Sequence, residues 1–121
     1  MAYKKKKILL VDDEEEIREI IAHHLRDQYE VILASNGREA FQLTKEAKPD
    51  LVITDLIMPE ASGFDFIGSV TGFETPIIAM SGRGGEYLEM AKDLGVARVL
   101  EKPFSMEELA DLINDLLSSG G

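Results

Sequence analysis

Five short, continuously apolar stretches, each followed by a segment with helical patterning, constrain this chain more than any other feature. They are centred in Lys6 to Val11, Glu30 to Ala34, Leu51 to Thr54, Ile77 to Met80 and Val96 to Leu100. At their centres apolar residues follow one another without alternating with polar ones, which is the pattern of strands buried on both faces. The segments between them repeat their apolar residues at helical spacing. Ile17, Ile20, Ile21 and Leu25 share one face of a first helix, opened by Glu14-Glu15-Glu16, where negative charge suits the helix dipole, and ending near Gln28. Ser35-Asn36-Gly37 is a turn that can cap a second helix, whose buried side is Ala40, Phe41, Leu43, Thr44 and Ala47 and which Pro49 stops. A third helix, Gly63 to about Val70, is weakened by Gly68 and closely followed by Gly72. A fourth runs from Glu86 to Leu94, with Gly95 as its C-terminal cap. Ser105 and Glu108 form a capping box for a fifth, which carries the stripe Leu109, Leu112, Ile113, Leu116 and Leu117.

Strands of this kind alternating with helices require a parallel sheet covered on both faces. Right-handed crossovers then leave few topologies, and the expectation is an α/β fold with a doubly wound, five-stranded parallel sheet in three layers. A length of 121 residues suits a single domain, with a core of about residues 5–118 and flexible ends.

The bulk properties exclude several functions. No apolar run is long enough to span a membrane. Met1 to Lys7 is basic, but the apolar run after it is too short for a signal-peptide core and enters an acidic cluster, so a cytoplasmic location is the default. The absence of cysteine excludes disulfides, thiolate metal sites and cysteine nucleophiles. A formal net charge of −10 argues against nucleic-acid binding through a broad basic face and suits a cation site or a basic partner. The lysines at positions 4–7 read as a solvated lead-in to the first strand.

In a parallel sheet the carboxyl ends of all strands share one edge, and ligands bind there. The residues at those ends are Asp12 and Asp13 after the first strand, Asp55 after the third, Ser81 after the fourth and Lys102 after the fifth. None is informative alone: Asp12-Asp13 suits an ordinary strand-to-helix turn, Ser81 a loop and Lys102 a surface. Their joint placement carries the argument. Three carboxylates together repel and need a cation, and oxygen ligands without His or Cys favour a hard ion, Mg²⁺ being the natural choice. A phosphoryl group on Asp55 would find that cation on one side, Lys102 on another and the Ser81 hydroxyl as a donor. Charge stabilisation and positioning are what phosphoryl transfer chiefly requires, and a carboxylate is an accepted nucleophile for it. The residues therefore point to Asp55 as an aspartyl-phosphate site. His23 and His24 are adjacent on a helix, do not share a face and are read as residues without a role.

The chain resembles the receiver domains of two-component response regulators, either a stand-alone chemotaxis-type receiver or one excised from a longer protein. The resemblance rests on Ile8-Leu9-Leu10-Val11-Asp12-Asp13-Glu14, on Asp55-Leu56-Ile57-Met58-Pro59-Glu60-Ala61-Ser62-Gly63, on Ser81 and on Lys102-Pro103-Phe104, in the family's order and spacing over essentially the whole chain. It implies strand order 2-1-3-4-5 in a flavodoxin-like sandwich. It also implies that Asp55 accepts phosphate from a histidine kinase, a histidine phosphotransfer protein or a small phosphodonor. Asp13, Asp55 and the Ile57 backbone carbonyl would ligate Mg²⁺, with Asp12 helping through water. Lys102 would bind a phosphoryl oxygen, Ser81 would move with the phosphoryl group, and the Lys102–Pro103 bond would be cis, as in many relatives. The chain would act by docking to a downstream protein partner in a phosphorelay, without direct nucleic-acid or membrane binding.

One departure stands out. Many receivers carry Tyr or Phe three residues before the active-site lysine as a rotating switch, and here that position is Val99. Phe104 follows the proline and is no substitute. Signalling from Ser81 would then differ, or use loop movement around Gly82-Arg83-Gly84-Gly85. Ile57 and Arg83 would flank the path of attacking water and slow hydrolysis. Three alternatives fit less well. Aspartate-nucleophile phosphatases, the small Mg²⁺-dependent kind, want a second Asp two residues after the nucleophile, where Ile57 stands. A flavodoxin-like cofactor binder would need a phosphate-cradling glycine loop, whereas this rim is acidic. A degenerate receiver that only binds partners would have no need of Asp13, Asp55, Ser81 and Lys102. The chain is thus expected not to be an enzyme, beyond catalysing its own phosphorylation and dephosphorylation.

Overall fold

The computed structural model describes residues 5–58, 63–82 and 85–118. The expectations placed on the chain ends, on Pro59 to Ser62 and on Arg83 and Gly84 lie outside them. Five strands and five helices alternate: β1 Lys7–Val11, α1 Glu15–Leu25, β2 Glu30–Ala34, α2 Gly37–Ala47, β3 Leu51–Asp55, α3 Gly63–Val70, β4 Ile77–Ser81, α4 Gly85–Asp93, β5 Arg98–Glu101 and α5 Met106–Ser118. A 3-10 turn, Thr71–Phe73, follows α3. The strands form one parallel sheet in the order β2-β1-β3-β4-β5, the doubly wound, flavodoxin-like arrangement expected from the alternation and the resemblance.

The sheet divides the interior. Ile8, Leu10, Leu51, Ile53, Ile78, Met80 and Leu100 face one side, against Ile21, Ala22 and Leu25 of α1 and Leu109 and Ile113 of α5. Leu9, Val11, Val52, Ile77 and Ala79 face the other, against Ala40 of α2, Phe66, Ile67 and Val70 of α3 and Leu88 and Ala91 of α4. Every residue of β3 and β4 is buried, which is why those segments read as unbroken apolar runs.

Local chemistry accounts for the helix ends. Asn36 Oδ1 accepts from Glu39 N (2.8 Å), and Glu39 Oε1 reaches back to Ser35 N (2.7 Å). The Ser105–Glu108 box forms as the sequence suggests, with Ser105 N donating to Glu108 Oε1 (3.1 Å) and Glu108 N to Ser105 Oγ (3.0 Å). Gly95 follows α4 at φ +98°, a conformation that glycine adopts at no steric cost.

Boundaries shift where hydrogen bonding overrides apolar patterning. α1 stops at Leu25 rather than near Gln28. Ile20, expected on its buried face, is 56% exposed, because Ile17, Ile21 and Leu25, spaced four apart, take the contact with the sheet and leave Ile20 on the flank. β5 runs Arg98–Glu101 rather than Val96 to Leu100, since Val96 N is spent on Ala91 O (3.4 Å) at the end of α4. β3 and β4 each extend one residue further, so Asp55 and Ser81 are the last residues of their strands.

Candidate functional site

β1 hands its ladder to Asp12, whose N–H donates to Ala34 O (3.1 Å). The Asp12 side chain then folds over the turn into α1. Its Oδ1 accepts from Glu14 N (2.9 Å), its backbone O takes Arg18 Nη1 (2.6 Å), and no part of it is exposed. Asp13, next in the turn, is exposed. Asp55 ends β3 and is 6% exposed, with Oδ1 3.3 Å from the Ile57 N–H. Lys102 follows β5, and its N–H continues the ladder to Ser81 O (2.9 Å), which fixes the start of its side chain. The bond to Pro103 is cis.

The Lys102 ammonium converges on the acidic side. Its Nζ lies 3.0 Å from Asp55 Oδ2, 3.3 Å from Asp12 Oδ2 and 3.9 Å from Glu14 Oε1. Carboxylate oxygens of Asp12, Asp13 and Asp55 all lie within 4.8 Å of one another. A cleft of about 440 Å³ opens above them, lined by Asp13, Glu14, Asp55, Ile57, Met58, Gly82 and Lys102. Asp12, fully buried, is not part of that lining. Ser81 is fully buried at the end of β4, in register with Glu101 of β5.

Burial pushes the Asp12 carboxyl above its ordinary value, against the pull of the Glu14 N–H and of Lys102; the neighbouring Asp55 charge adds to the rise. Burial draws Lys102 down, but hydrogen bonding and charge from Asp55 and Asp12 outweigh it, so its pKa is raised and the ammonium persists. Three carboxylates thus face one such ammonium, and one of those carboxylates, Asp12, is cut off from water. Oxygen donors in this arrangement suit a small hard dication, so the residues fit Mg²⁺.

The structure thus brings Asp12, Asp13, Asp55 and Lys102 together, with Ile57 at the cleft wall and Ser81 beneath the adjoining strand end. Val99 is elsewhere: half-buried on β5, in register with Ala79, it packs into the apolar layer under α2, α3 and α4. His23 and His24 are exposed on α1. Two residues of the site escape sequence reasoning. Glu14 lines the cleft, although in sequence it is one member of an acidic run that reads as the opening of α1. Gly63 begins α3 against β3, where a Cβ would stand 2.1 Å from Asp55 O and 2.7 Å from Leu56 Cα. In sequence, a glycine at the start of a helix, at the end of the Asp55-to-Gly63 motif, is the sign of this approach.

Comparison with known proteins gives a consistent picture. The family model described as response regulator receiver domain matches residues 8–114. The chemotaxis protein CheY of Halobacterium salinarum is 32% identical over 118 residues, covering 94% of this chain and 98% of that protein. The response regulator MprA of Mycolicibacterium vanbaalenii is 36% identical over 115 residues, covering 92% of this chain but 50% of that protein. This chain therefore spans about half the length of some curated relatives and nearly all of others. Among solved structures, chemotaxis response regulator CheY4 of Vibrio cholerae superposes with a TM-score of 0.85 at 34% identity, covering 93% of this chain and 99% of that one. The Francisella response regulator 1452 receiver domain superposes with a TM-score of 0.90 at 26% identity, covering 97% of this chain and 100% of that one.

Proposed function

This chain belongs to the response regulator receiver domain family, and from that premise we propose that it is a phosphorylation-controlled signalling module whose acceptor is Asp55. The donor is the phosphohistidine of a sensor histidine kinase or histidine phosphotransfer protein, or a small phosphodonor. The observation that carries this reading is the Lys102 ammonium held 3.0 Å from Asp55 beside the Asp12–Asp13 pair, at the mouth of an open cleft.

In the reaction an Asp55 carboxylate oxygen attacks phosphorus, and the phosphorus–nitrogen bond of the donor breaks. The bonding pair leaves with the imidazole. Asp55 gives up its contact with Lys102 as its oxygen becomes an acyl phosphate, and Lys102 turns to a phosphoryl oxygen. The Ser81 hydroxyl donates to another. Asp13, Asp55 and the Ile57 carbonyl would hold Mg²⁺, with Asp12 assisting, and the charge such an ion would supply there would offset that of the phosphoryl oxygens. Ser81 then starts the change that reaches the outer face, with Val99 taking the place of the usual aromatic. Ile57, standing where a phosphatase would carry its acid–base carboxylate, favours a module that modifies only itself over an enzyme acting on an outside substrate. A cytoplasmic location and a downstream protein partner, with no direct hold of this domain on nucleic acid or membrane, complete the reading. Among the described residues no helix is long and apolar enough to cross a membrane.

Incubation with acetyl phosphate and Mg²⁺ tests it. Mass spectrometry should find one base-labile phosphate per chain, absent from Asp55→Asn. Modification of that variant at the wild-type level would falsify the assignment.

A further inference from the structure

Glu14 is the N-cap residue of α1, yet its side chain makes no capping hydrogen bond. Caps are normally short side chains such as Ser, Thr, Asp or Asn, which reach the free N–H groups of the first turn. The Glu14 carboxylate instead lies 3.9 Å from Lys102 Nζ and forms part of the cleft wall, with its side chain 59% exposed. Side-chain capping therefore does not account for where this carboxylate lies. Lys102 already has the carboxylates of Asp55 at 3.0 Å and Asp12 at 3.3 Å, so Glu14 adds a charge that, among the described residues of the cleft wall, no further cation balances. With Asp13 it places negative charge where a phosphodonor must enter.

We propose that Glu14 sets the charge selectivity of the cleft, so that Asp55 takes phosphoryl groups from N-phosphoryl donors of low net negative charge in preference to doubly charged acyl phosphates. The inference rests on the reading of Asp55 as the acceptor. Both classes of donor undergo the same displacement. With acetyl phosphate, an Asp55 oxygen bonds to phosphorus, the phosphorus–oxygen bond breaks and acetate leaves with the electron pair. With phosphoramidate, the phosphorus–nitrogen bond breaks and the already protonated nitrogen leaves as ammonia. At neutral pH acetyl phosphate is a dianion, whereas protonation at nitrogen leaves phosphoramidate a net monoanion. A fixed carboxylate at the entrance repels the first more than the second. Glu14 acts on the donor through charge and does not touch the reacting atoms.

The experiment measures phosphorylation rate constants with acetyl phosphate and with phosphoramidate, at saturating Mg²⁺, for the wild type, Glu14→Gln, Glu14→Asp and Glu16→Gln. Neutralising Glu14 should speed both reactions, and should raise the ratio of the acetyl phosphate rate to the phosphoramidate rate by about three- to tenfold at low ionic strength. The gain should shrink as salt is added, since exposed charges are screened. Glu14→Asp keeps the charge and should keep the wild-type ratio. So should Glu16→Gln, which removes a charge from an exposed position of the same helix outside the cleft lining. An unchanged ratio in Glu14→Gln, or an equal change with both donors, overturns the proposal. So does a Mg²⁺ affinity at least tenfold weaker in Glu14→Gln, measured by calorimetry without donor, because Glu14 would then be acting through the ion. A wild-type chain that neither donor phosphorylates overturns the acceptor assignment itself, and the inference with it.

Discussion

Asp12 is a carboxylate with no exposed surface. Its folded-state pKa lies above the ordinary value of 3.8, chiefly because of burial. An acid shifted that way contributes stability that is intact below its unfolded-state pKa and is lost as pH rises through the folded one. At neutral pH without a divalent cation, ionised Asp12 therefore costs stability. Asp12→Asn should raise Tm by a few degrees at pH 7, and the gap from the wild type should close as the pH falls toward 3.8. Thermal unfolding followed by circular dichroism across that range checks both parts. A lowered Tm at pH 7 would mean that the contact with Lys102 outweighs desolvation. The sequence exposes Asp12, Asp13, Asp55, Ser81 and Lys102 as a group because strand ends can be read from where apolar runs stop, and a parallel sheet gathers those ends. That the Glu14 carboxylate reaches toward Lys102, and the Arg18 guanidinium toward Asp12 O, was not legible. Their placement depends on the turn after Asp12 and on side-chain reach, which residue spacing does not encode.

α3 shows how an element can be tied to the chemistry by its first residue. Its start is pressed so close to the end of β3 that a methyl group at Gly63 would overlap backbone rather than a flexible side chain. Gly63→Ala should therefore lower stability by about 1–3 kcal/mol, the range for overpacking a tight contact. Moving α3 away from Asp55 should also slow phosphorylation. Urea denaturation and a phosphorylation time course measure the two effects, and wild-type behaviour in both would mean that the close approach is not needed. The helices and strands themselves were readable, because apolar periodicity and caps such as Ser105–Glu108 are local. The edges of α1 and β5 were not. Patterning placed Val96 in β5, but its N–H belongs to the end of α4, a choice made by tertiary hydrogen bonding.

At the scale of the whole molecule, the acidic cleft and Val99 occupy different parts of the structure. The cleft opens at the carboxyl edge of the sheet, whereas Val99 lies within β5 and faces the layer beneath α4. Val99→Tyr should leave phosphorylation largely intact while changing how much partner is retained in a pull-down that compares the phosphorylated and unphosphorylated states. Loss of phosphorylation with the fold intact would instead make position 99 part of the site. The sheet that separates these regions also separates two apolar interiors. Leu9 and Leu10 are joined by one peptide bond, yet they belong to different interiors. Substitutions in the two layers are thus partly insulated from each other, and their costs tend toward additivity when no side chain spans the sheet. Either interior is free to repack during divergence while the other, and the strand ends that both support, stay as they are.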